Sequence, residues 1–81
     1  MSVTYYVALP FVRTEDGIAA GQAQEMPSEP AAVRKAEAMS HDPANAGALA
    51  FKRTGDPNIG NFGDATVLRT FGDVPDNLDE L

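Results

Sequence analysis

Residues 48–56 read ALAFKRTGD, and residues 8–16 read ALPFVRTED. Six of the nine positions agree: Ala, Leu, Phe, Arg, Thr and Asp. Each copy spaces Leu and Phe two residues apart, the period of a strand with one face inward, then runs through Arg-Thr into an Asp-containing turn. Outside this window an offset of forty gives no further identity. The echo therefore reads as the pattern of two core strands, and a whole-domain duplication stays undemonstrated. If the two strands are antiparallel neighbours, Arg13 and Arg53 fall at opposite ends of the sheet. They cannot then clamp one anion together, and each is expected beside a turn acid such as Asp16 or Asp56.

Working outward, Val3, Tyr5, Val7, Leu9 and Phe11 alternate with smaller or more polar residues, extending the first copy into a long strand. Pro10 cannot donate to a ladder, so its nitrogen must face a gap in the pairing. Thr14-Glu15-Asp16-Gly17 suits a type I turn closed by a positive-φ glycine. Residues 18–25 return as a weak edge strand. The next segment, PSEPAAVRKAEAMSHDP, predicts the one secure helix. Ser28 caps it, Glu29 and Pro30 suit its first turn, and Asp42-Pro43 ends it. Ala32, Val33, Ala36 and Met39 form its buried stripe, thin and mostly alanine, so the helix must lie close to whatever it covers. Residues 46–54 and 65–71 supply the third and fourth strands. A short C-terminal helix capped by Asp73 would put Val74, Leu78 and Leu81 on one side.

The expected fold is a single α+β domain over residues 1–81: a four-stranded antiparallel sheet, ββαββ in order 2-1-3-4, with one helix on one face. The odd-numbered face of the first and third strands, with Leu9, Phe11, Leu49 and Phe51, is the stronger apolar one and is expected to carry the helix. The other face, with Thr4, Tyr6, Ala8, Ala46, Ala48 and Ala50, is flat and nearly uncharged. It is expected to be open and to serve as an interaction face, through which a symmetric homodimer would pack sheet on sheet.

The 81 residues carry a net charge of −6 and no cysteine. Acidity opposes encounter with nucleic acid or anionic membranes, and the missing thiols exclude disulfides and cysteine nucleophiles. The N-terminus reads as a strand rather than a signal peptide, no apolar run is long enough to span a membrane, and a cytoplasmic location is expected. His41, the single histidine, falls in the last turn of the helix, where no second catalytic group is expected beside it. In the loop over 55–64, Asp56, Asn58 and Asp64 occupy positions 1, 3 and 9 of an EF-hand-like count, but position 12 is Val67 where a bidentate glutamate belongs. Metal or small-ligand binding there is the weaker alternative to a plain hairpin loop. Ile59 and Phe62, the apolar residues of that loop, either fold over the sheet or form a contact tip.

The stretches YYVALPFVRTEDG, RKAEAM and TFGDVP resemble short bacterial proteins of no assigned function. That resemblance implies a cytoplasmic, stand-alone domain and transfers no site residues. The functional expectation is a non-catalytic protein-interaction module without cofactors. Ligand or metal binding is the first alternative, and an enzyme using carboxylate chemistry ranks last.

Overall fold

The computed structural model describes residues 3–56, 61–63 and 65–75. The repeated stretches become the two central strands, β1 (Val3–Thr14) and β4 (Asn45–Asp56), paired antiparallel with Leu9 opposite Leu49 and Val7 opposite Phe51. A two-residue turn at Glu15 and Asp16 leads through Gly17, at φ +134°, into β2 (Gly17–Ala20). β3 (Gln24–Met26) follows on the same side of β1, with Glu25 opposite Val7. On the far side of β4 lie the short β5 (Asn61–Phe62) and the longer β6 (Thr66–Gly72).

The sheet is antiparallel and the class is α+β. The strand count differs from expectation, because the second strand is split into β2 and β3, and the short β5 precedes β6. Pro10 causes the split. Its carbonyl accepts from the Gly21 N–H at 2.8 Å, so its nitrogen also faces that side and has nothing to donate. The partner strand leaves the ladder after Ala20, opposite Phe11, and rejoins at Gln24, opposite Ala8.

Helix α1 (Glu29–Ser40) begins where the Ser28 side chain accepts from the Ala31 N–H at 3.3 Å. It ends at His41, and the Asn45 side chain donates to the Met39 carbonyl at 2.9 Å, tying the helix end to the start of β4. Ala32, Ala36 and Met39 form its buried stripe, with Val33 packed at the margin.

The helix lies on the face expected to be open. Ala8, Ala48 and Ala50 have no exposed surface and form one cluster with Ala32, Ala36 and Met39, while Tyr6, Met26, Leu68 and Phe71 pack around it. Of the other residues assigned to an interaction face, Ala46 is buried and Thr4 is exposed, its hydroxyl hydrogen-bonded to that of Thr54 at 2.9 Å. Small meets small here. Where Ala32 and Ala36 meet Ala8, Ala48 and Ala50, only Cβ atoms separate helix and sheet, so the backbones approach closely, which a layer of Leu and Phe would prevent. Chirality sets the choice of face. β3 and β4 both run antiparallel to β1, hence parallel to each other, and a right-handed crossover between them through α1 reaches only one side.

The larger apolar residues Leu9, Phe11, Leu49 and Phe51 form a second cluster on the helix-free face, joined by Val7, Ala65 and Val74. Val74 arrives because Gly72, at φ +69°, turns the chain out of β6, and the Asp73 N–H bonds the Ala46 carbonyl at 3.1 Å. Gly47 permits this passage. A Cβ there would stand inside van der Waals distance of the Phe71 and Asp73 carbonyl oxygens and the Asp73 nitrogen. Residues 73–75 are not helical; the remainder of the expected C-terminal helix, with Leu78 and Leu81, falls outside the described residues.

Candidate functional site

Between β3, β1 and β4 the helix-free face is recessed into a cavity of about 360 Å³ lined by Tyr5, Val7, Ala23, Glu25, Phe51 and Arg53. Register explains the grouping. Val7 stands opposite both Glu25 and Phe51, and Tyr5 opposite Arg53, and directly opposed residues of antiparallel strands share a face. Tyr5, Val7 and Phe51 form an apolar floor, and Ala23, in the gap left by the split strand, closes one side. The depression is shallow and largely open to solvent, mostly apolar with two charged groups, and of a size to take a small molecule or a side chain.

The two charges are not spent on each other. Glu25 is exposed, Arg53 is half-buried, and neither forms a hydrogen bond or ion pair with another described residue. The Arg53 Nε is out of reach of solvent and has no acceptor among the described residues. A guanidinium carries five N–H donors, and a ligand's acceptor would meet those on the Nη nitrogens, Nε being closed to anything the size of water.

The repeated arginines thus differ in setting. Arg13 is exposed, 3.6 Å from the Asp73 carboxylate, and donates to the Asn45 carbonyl at 3.4 Å; its acidic neighbour is Asp73 rather than Asp16. Arg53 lies at the other end of the sheet, as the antiparallel register requires, but lines a cavity instead of extending into water. Sequence reasoning missed the pocket because it placed the helix over this face. The signal available was the pair of odd-numbered residues, Glu25 and Arg53, flanking Tyr5 and Val7.

Asn58, Ile59 and Asp64 lie outside the described residues, as does the side chain of Phe62; Asp56 is half-buried at the end of β4. Among the described residues no group of three His, Cys, Asp or Glu could hold a metal ion. His41 is exposed at the helix C-cap. Among the described residues no helix is long and apolar enough to cross a membrane. No protein-family model, curated protein or solved structure matches the chain.

Proposed function

We propose that this chain is a recognition domain rather than an enzyme, and that it receives its ligand in the cavity on the helix-free face. A half-buried Arg53 lining an apolar-floored cavity, with no ion pair among the described residues, is the observation that carries this reading. The lining supports binding over turnover: among the described residues it offers one guanidinium, one carboxylate and the Tyr5 phenol, with no Ser, Thr, Cys or His to act as nucleophile or imidazole base. A thermal-shift screen of small molecules and short peptides against wild type and Ala23→Phe, which fills the cavity from its rim, tests it. Compounds that stabilise wild type, lose their effect on Ala23→Phe and are recovered chemically unchanged support a recognition domain. Stabilisers indifferent to Ala23→Phe would move the site elsewhere, and conversion of a bound compound would make the protein an enzyme.

Self-association is the second reading, favoured by β6. This seven-residue strand pairs with β4 on one side, and its outer edge has no partner among the described residues. Val67 on it is 39% exposed, although Arg69 and the irregularity between Val67 and Arg69 partly guard the edge. Sedimentation of wild type as a dimer, and of Val67→Lys as a folded monomer, is the expected result. A monomeric wild type ends this reading.

A further inference from the structure

The cavity presents opposite charges at two separated points of one apolar floor. Glu25 projects from β3 beside Val7, and Arg53 from β4 beside Tyr5, so β1 runs between them. Two strand spacings across and two residues along place their backbones about 12 Å apart. Both side chains are long enough to lean over the floor, yet each is left without a partner among the described residues. A group carrying only negative charge would meet Arg53 but also Glu25, in a chain of net charge −6. A purely cationic group would meet Glu25 but also the positive charge of Arg53.

We infer that the pocket takes a zwitterion with an apolar body, of the hydrophobic amino-acid or short-peptide class. Its carboxylate accepts from the Arg53 guanidinium, its ammonium donates to Glu25, and its side chain lies against Tyr5, Val7 and Phe51. A carboxylate is the natural complement of a guanidinium, whose planar donors match it in pairs. The ammonium end answers Glu25, and the aromatic floor contributes area without a competing charge. A single amino acid holds its two charges on one carbon, whereas a peptide separates them by a further 3.3–3.6 Å or so per added residue. The geometry accommodates both, and they share the same chemistry. This inference rests on the cavity being the binding site.

The test is an amide-resolved NMR titration of the full chain with four probes: phenylalanine, the dipeptide Phe-Phe, phenylacetate and phenethylamine. Saturable shifts are expected at Tyr5, Val7, Phe51 and Arg53 with the two zwitterions. Each singly charged probe should bind about tenfold or more weakly, as expected for the loss of one charge-assisted contact. The stronger of the two zwitterions identifies the source, free amino acid or peptide. Glu25→Gln, an exposed change that leaves the core alone, should reduce phenylalanine to the level of phenylacetate. Arg53→Gln should reduce it to the level of phenethylamine, with the dispersion of the spectrum reporting that the fold is intact. Phenylacetate binding as tightly as phenylalanine would overturn the inference, as would indifference of phenylalanine to Glu25→Gln. So would the absence of shifts with either zwitterion at about 10 mM, a concentration that even weak small-ligand sites detect. If that absence coincides with ligands sensitive to Ala23→Phe in the thermal screen, the zwitterion is wrong while the recognition reading stands.

Discussion

The seam between α1 and the sheet makes a sharp prediction, because its two sides meet through alanines. Ala36 has no exposed surface, and Ala8, Ala48 and Ala50 share its cluster with none either. Ala36→Leu adds an isopropyl group to a site walled by these residues. Either the helix is lifted from the sheet, opening gaps along Ala32 and Met39, or the introduced side chain takes a strained rotamer. Overpacking of this kind costs about 1–3 kcal/mol. Ala38→Leu is the control: the same change on the same helix, at an exposed position, expected within about 0.5 kcal/mol of wild type. A domain this long has roughly 4–12 kcal/mol in all, so the first substitution should be visible as a fall in Tm of about 4–20 °C. Urea titrations followed by circular dichroism should show a lower midpoint for Ala36→Leu with an unchanged slope. Equal stability of the two variants would refute the close alanine seam and with it the assignment of the helix to this face.

Leu49→Ala removes the largest fully buried side chain and should cost about 2–5 kcal/mol, measured by the same titration. Gly47→Ala should do comparable damage through backbone rather than core, since the added methyl meets the Phe71 and Asp73 backbone; loss of amide protection at Gly72 and Asp73 would locate the break. Ser28→Ala leaves the Ala31 N–H without its cap and should cost about 1 kcal/mol, with fraying confined to the first helical turn by hydrogen exchange. Ala48→Glu, a harmless change if that face were open, should instead prevent folding, and a well-dispersed NMR spectrum of the variant would contradict its burial under α1.

Most of the strands and the helix were legible in the sequence because they rest on local signals: alternation in β1 and β4, Ser28 and Asp42-Pro43 at the helix ends, and a glycine after Glu15-Asp16. The face covered by the helix was misread by ranking faces on hydrophobic size, which put α1 over Leu9, Phe11, Leu49 and Phe51. Two features in the chain decide it otherwise. The alanine stripe of α1 matches an alanine face, because small residues pack well only where backbones can come close. Pro10 gives the second. For an L-residue, the side to which its N–H and C=O point fixes the face its side chain takes. Once the gap at Pro10 is assigned to the β3 side, the even-numbered residues of β1 face the side that a right-handed crossover from β3 to β4 must cover. The pocket was out of reach until that face was settled, since Arg53 is then a lining residue and not the end of a strand. The crossing of Asp73 over Gly47 had no local signature beyond the glycines themselves.

The alanine seam also divides the molecule by its tolerance of change. On the helix side Ala8, Ala32, Ala36, Ala48 and Ala50 have no exposed surface, and growth by a single carbon is resisted at each of them. On the other side, Tyr5, Val7, Ala23 and Glu25 are half-buried or exposed, and no second layer of secondary structure in the described chain rests on them. Substitutions there alter the shape and charge of a cavity while the scaffold stays as it is. Variation among descendants of this chain should therefore accumulate at the cavity's exposed rim, so that ligand preference drifts while the fold is held by buried residues, of which Phe51 alone also lines the cavity.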